Sequence, residues 1–160
     1  MEPTALSGVC RGAPRRAVRV KSKSDKPPII VVVEDEATVR ALAESILETL
    51  GYRALSAATA REALALCEQK NCIDVLFTDI ELPDGPEAMD GLELAGRAVE
   101  LCPGLRVIYT TGGGRTDGMA ALFVDKAVFL AKPYTRDQLV DAVEEVLGRS
   151  FRVSRKKPPC

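Results

Sequence analysis

The sequence predicts an α/β fold, a parallel sheet with helices on both faces. Three observations carry that prediction. Five short apolar runs alternate strictly with five segments of helical periodicity. The first run, Ile29 to Val33, is a block of β-branched residues with no polar alternation, the pattern of a strand buried on both faces. And four of the runs end in a polar residue, in VVVEDE, LFTDIELP, VIYTTGG and VFLAKPY. Alternation of this kind implies right-handed crossovers between parallel strands.

The elements follow in order. After the strand at Ile29–Val33, apolar residues at Val39, Leu42, Ala43, Ile46, Leu47 and Leu50 fall on one helical face. Gly51 stops that helix. Arg53–Ala57 reads as a second strand. Thr59 and Glu62 form a capping box for a second helix carrying Ala63, Leu64, Leu66 and Cys67. Ile73–Thr78 reads as the third strand and Gly91–Leu101 as a helix ended near Cys102-Pro103-Gly104. Leu105–Thr110 is a fourth strand. The helix after it, over Thr116–Val124, is weakened by Gly112, Gly113, Gly114 and Gly118. Ala127–Ala131 is the fifth strand. Thr135 caps a last helix with Leu139, Val140, Val143, Val146 and Leu147 on its apolar face.

Composition narrows the function. The chain has 160 residues, 46% of them hydrophobic, and no stretch long and apolar enough for a membrane span or a secretory signal. Its five cysteines form no CxxC pair, and histidine is absent. A zinc site, a disulfide framework, a Ser-His-Asp triad and an internal histidine phosphodonor are therefore not expected. Seven basic and two acidic residues lie in 1–28, and five basic residues lie in 149–160. Residues 29–148 then carry a net −11, which does not suit direct DNA binding. The expected organisation is a flexible basic tail over 1–28, one domain over 29–148 and a second basic tail over 149–160.

In open parallel sheets, sites form at the carboxyl ends of the strands. Glu34-Asp35, Asp79, Thr111 and Lys132-Pro133 all lie at such ends. Asp35 and Asp79 suit direct coordination of magnesium, with Glu34 acting through water, because Mg2+ takes oxygen ligands. Without a metal, clustered carboxylates repel one another. An ammonium at Lys132 pairs with Asp79 and then with an incoming phosphoryl oxygen. Thr111 donates to the same group, with Gly112 and Gly113 leaving the approach open. Strand alternation turns neighbouring Thr110 the other way. Together these residues suit in-line attack of the Asp79 carboxylate on phosphorus.

These motifs resemble the receiver domain of two-component response regulators, over about Ile29–Gly148. The resemblance implies a doubly wound, flavodoxin-like (βα)5 sheet of strand order 2-1-3-4-5. It makes Glu34 and Asp35 the acidic pair, Asp79 the phosphoacceptor and Thr111 the switch hydroxyl. Phe129 takes the place of the family's rotating aromatic, and the Lys132–Pro133 bond is implied to be cis. The metal set becomes Glu34, Asp35, Asp79 and the backbone carbonyl of Glu81, with Mg2+ as cofactor. Met89-Asp90-Gly91 resembles the family's M-D-G. The loop between Pro83 and Met89 is four residues longer than in that motif. Glu81 and Gly113 stand where receivers tune dephosphorylation.

The implied donor is a histidine kinase or a phosphotransfer protein. The readout is expected to be binding to a further, unidentified protein in a bacterial cytoplasm, because only twelve residues follow Gly148. A weak homodimer is compatible with this reading, although the thin fourth helix puts the usual interface in doubt. The alternatives are a pseudo-receiver adaptor that needs no phosphorylation and a magnesium-dependent phosphatase with an aspartyl nucleophile. Flavin or nucleotide binding is disfavoured, because acids stand where a phosphate-cradling loop would be.

Overall fold

A computed structural model describes residues 26–69, 73–83 and 88–148. Strands β1 (Ile29–Val33), β2 (Arg53–Ala57), β3 (Val75–Asp79), β4 (Arg106–Thr111) and β5 (Val128–Ala131) alternate with helices. These are α1 (Ala37–Thr49), α2 (Ala60–Gln69), α3 (Gly91–Leu101), α4 (Asp117–Ala120) and α5 (Arg136–Val146). The strands form one parallel sheet in the order β2-β1-β3-β4-β5. The order reverses between β1 and β3, and that reversal places the carboxyl ends of these two strands side by side.

Burial follows strand position. Every residue of the interior strands β1 and β3 is buried, whereas the edge strands β2 and β5 are only partly covered. Successive residues of one strand feed opposite cores. Val31, Val33, Leu76, Val107 and Tyr109 pack with Ala63, Cys67, Leu94 and Ala98 of α2 and α3. Ile30, Val32, Val75, Phe77 and Ile108 pack with Leu47, Leu139 and Val143 of α1 and α5. Fully burying side chains of this size contributes roughly 1.5–3 kcal/mol each.

Several boundaries differ from the sequence expectation. The third strand starts at Val75, and just ahead of it the Asp74 carboxylate accepts from the Ile29 N–H at 2.8 Å. The fourth strand extends to Thr111, whose carbonyl accepts from the Lys132 N–H at 3.1 Å and carries the ladder one step further. The fifth begins one residue late, at Val128. At α2, Thr59 accepts from the Glu62 N–H, but the Glu62 carboxylate reaches past the cap to the Ala58 N–H. Leu42 lies off the buried stripe of α1, which centres on Ala43 and Leu47, and is 59% exposed.

The largest difference is α4, reduced to Asp117–Ala120. Thr116 caps it by accepting from the Met119 N–H. Beyond it the Leu122 and Phe123 amides bond back only three residues, to Met119 and Ala120. That tightening brings Phe123 onto the ring of Tyr109, with centroids 4.4 Å apart. The basic tails expected at 1–28 and 149–160, and the lengthened loop after Pro83, fall largely or wholly outside the described residues.

Candidate functional site

Glu34 and Asp35 leave the end of β1 in a tight turn. The Glu34 N–H still reaches the Ala57 carbonyl on β2 at 3.1 Å, which pins the residue to the sheet. Its side chain turns inward and is buried, while Asp35 stays exposed. Asp79 is the last residue of β3, buried beside Glu34. Oxygens of Glu34, Asp35 and Asp79, one from each carboxylate, lie within 4.8 Å of one another.

Lys132 arrives from the other end of the sheet. It follows β5 directly, its peptide bond to Pro133 is cis, and its Nζ lies between two of the acids. It donates to Glu34 Oε2 at 2.5 Å and to Asp79 Oδ2 at 2.6 Å. Each carboxylate uses its second oxygen on the backbone. Glu34 Oε1 accepts from the Glu36 N–H at 3.2 Å, and Asp79 Oδ1 accepts from the Glu81 N–H at 3.0 Å. Glu34 thereby satisfies an amide at the start of α1, whose N-cap residue offers no side-chain bond of its own.

Electrostatics follow from three carboxylates facing one ammonium. Burial pushes the Glu34 carboxyl above its ordinary range, and Lys132 only partly offsets that. For Lys132, burial alone would lower the value. The hydrogen bonds and charges of Asp79 and Glu34 together outweigh it, and the ammonium is held above its ordinary range. Lys132 is therefore firmly cationic at neutral pH. Nearby Tyr134 is also shifted upward, chiefly by burial.

Thr111 ends β4 fully buried. Its hydroxyl accepts from the Gly113 N–H at 3.1 Å and donates to Glu81 Oε1 at 3.3 Å. A Cβ on Gly113 would stand 3.0 Å from that same Glu81 oxygen, so glycine leaves the Glu81 carboxylate room to lie over Thr111. Phe129 pairs with Tyr109 in register, and its ring stacks on Phe123 at 6.1 Å between centroids. It sits in the α3-side core, apart from the polar set.

The residues singled out from sequence thus fall into one polar cluster of Glu34, Asp35, Asp79 and Lys132. Thr111 and Glu81 adjoin it, and Phe129 packs behind. Two residues take parts at the site that sequence reasoning did not assign to them. Gly91 lies so close beneath β3 that a Cβ there would meet the Asp79 carbonyl at 2.1 Å. Arg40, on α1, donates to the Glu34 carbonyl at 2.7 Å. A glycine at the first position of a helix, and a cation near a helix N-terminus where the dipole disfavours it, were the available clues.

The donor set tests the expected metal. All three clustered ligands offer hard carboxylate oxygen, with neither thiolate nor imidazole among them, and two come from adjacent strand ends. That chemistry fits magnesium and does not fit zinc. No described helix is long and apolar enough to cross a membrane.

Comparison with known proteins agrees with this geometry. Residues 30–144 match the response regulator receiver domain. A chemotaxis protein CheY homolog of Campylobacter jejuni is 33% identical, over 74% of this chain and 92% of its own length. The Escherichia coli transcriptional regulatory protein GlrR is 28% identical over 79% of this chain, which spans only 28% of that regulator's length. Among solved structures, a CheY-like receiver domain protein from Methanospirillum hungatei superposes with a TM-score of 0.68 at 31% identity, covering 77% of this chain and 95% of its own.

Proposed function

Because the chain belongs to the response regulator receiver family, we propose that it is a phosphoaccepting switch, modified on Asp79 by a histidine kinase or a phosphotransfer protein. The observation that carries this reading is the Lys132 ammonium set between two buried carboxylates at the β1/β3 switch point. Residues 29–148 form the receiver unit in this reading, with basic tails over 1–28 and 149–160 and a cytoplasmic setting.

The Asp79 carboxylate attacks phosphorus in line. As its oxygen–phosphorus bond forms, the phosphorus–nitrogen bond of the donor phosphohistidine breaks, and its electron pair returns to the imidazole. The product is an acyl phosphate on Asp79. Glu34, Asp35, Asp79 and the Glu81 carbonyl would hold magnesium, which would supply positive charge against the phosphoryl oxygens. Lys132, already at hydrogen-bond distance from Asp79, stays beside the new group and neutralises part of its charge.

Signalling follows from what Thr111 must exchange. Its hydroxyl leaves the long bond to Glu81 for a phosphoryl oxygen, and β4 shifts with it. Phe129 then repacks against Phe123, carrying the change to the surface around α4 and β5. The readout is binding to a further protein. Glu81 engages Thr111 rather than Asp79 through its carboxylate, which supports a switch over a turnover phosphatase with Glu81 as a second acid.

Beryllofluoride with magnesium, a phosphoryl mimic, tests the proposal. Backbone NMR signals around Thr111 and Phe129 are expected to move in wild type and to stay still in Asp79→Ala. An identical response in the two proteins would sink the reading. Steady hydrolysis of a small phosphomonoester would favour the phosphatase instead.

A further inference from the structure

Arg40 belongs to none of the roles above, yet it holds the turn that presents two of the three acids. The β1 ladder ends at Val33, which pairs with Ala57 on one side and Thr78 on the other. Beyond it, the Glu34 carbonyl receives Arg40 Nη1 at 2.7 Å, and the Asp35 carbonyl lies 3.4 Å from the same nitrogen. The Arg40 backbone N–H makes the ordinary helix bond to the Glu36 carbonyl at 2.9 Å, so the side chain alone reaches back to the two carbonyls before it.

Apart from the Glu34 N–H bond to Ala57 and the Lys132 bond to the Glu34 carboxylate, the turn has few polar ties. Glu36, the N-cap of α1, makes no side-chain cap bond, and the first turn of the helix holds no acid. The inward bond from Glu36 N–H to Glu34 Oε1 is long, at 3.2 Å. Asp35 is exposed. The guanidinium is therefore the strongest polar contact on the rear of a turn whose front carries the acidic pair. A charged donor bonds a carbonyl more strongly than a neutral one does. The planar, multi-donor fork suits two adjacent carbonyls better than a single ammonium does.

We propose that Arg40 is a positioning residue for the divalent cation. It grips the Glu34 and Asp35 carbonyls, fixes the angle at which both carboxylates face Asp79, and so sets metal affinity without being a ligand. This rests on the reading that the cluster holds magnesium. Residues that orient metal ligands typically change affinity 10- to 100-fold when removed.

The test compares wild type, Arg40→Ala and Arg40→Lys. Magnesium alone is titrated by calorimetry. Amide hydrogen exchange at 34–36 and the urea midpoint are measured in chelator. Arg40→Ala is expected to weaken magnesium binding about tenfold, with faster exchange confined to 34–36. Arg40→Lys is expected to recover part of the affinity. If Arg40→Ala does not fold, Arg40→Lys decides, and it must bind magnesium measurably more weakly than wild type. Wild-type affinity in a folded variant would overturn the proposal, as would faster exchange spread across the whole sheet. Wild type that binds no magnesium would bring down the metal reading and this inference together. Binding by wild type that Arg40→Ala fully matches would bring down this inference alone.

Discussion

At Gly91 a single methyl group decides whether Asp79 can occupy its place. A Cβ there would lie 2.1 Å from the Asp79 carbonyl and 2.8 Å from the Ile80 Cα, both backbone atoms that cannot swing aside. Gly91→Ala is expected to lower stability by about 3 kcal/mol, at the upper end of overpacking effects, read as a fall in the urea midpoint. The opposite sign is expected at Thr110. Its hydroxyl is buried without a hydrogen-bond partner among the described residues. Thr110→Val removes an unsatisfied group and should raise stability by about 1 kcal/mol, measured the same way. Residue identity at the site was legible wherever chemistry and position coincided, as for Asp79 and Lys132 after buried strands. It was not legible where a residue acts through its backbone partner. Nothing in the sequence distinguishes an Arg40 that grips two carbonyls from a solvated arginine, and the double use of Glu34 depends on a turn geometry that only folding creates.

The elements α2 and α3 meet through a pair of buried thiols. Cys102 Sγ lies 3.6 Å from the Cys67 carbonyl, and burial, with help from Cys102 and Glu68, pushes the Cys67 thiol up to about 12. A raised value in the fold means that the thiol's contribution is complete below its ordinary 9.0 and is lost as pH rises through about 12. Urea midpoints are therefore expected to fall over that window, and less steeply in Cys67→Ala once its lower starting stability is subtracted. Buried Tyr109, also shifted upward by burial, acts in the same direction. Element existence was readable because periodicity is a property of many residues at once. All ten elements expected from sequence are present, and β1, β2 and α3 have the expected ends. The failures lie where tertiary contacts override local pattern. The Asp74 carboxylate bonds the Ile29 amide just ahead of β3, and Phe123 stacks on Tyr109 just past the shortened α4.

On the scale of the whole molecule, both packed faces were legible from the strict alternation of elements, and the sheet order from the resemblance to receiver domains. The energetic link between site and fold was not, since it depends on distances. Three acids face one ammonium at the site, an excess of negative charge that a bound cation would relieve. Magnesium at about one hundred times its dissociation constant is expected to add about 2.7 kcal/mol to unfolding free energy, seen as a higher urea midpoint than in chelator. Asp35→Asn should remove most of that gain. Glu34 and Lys132 stand 98 positions apart, and the Lys132 amide is itself tied to the end of β4. During synthesis the cation therefore arrives last. A nascent chain extended only through α4 already holds every carboxylate of the cluster but not the ammonium that tethers them. The ribosome thus completes the cluster in one late step, and a fragment cut short before β5 carries Asp79 without the Lys132 that contacts it.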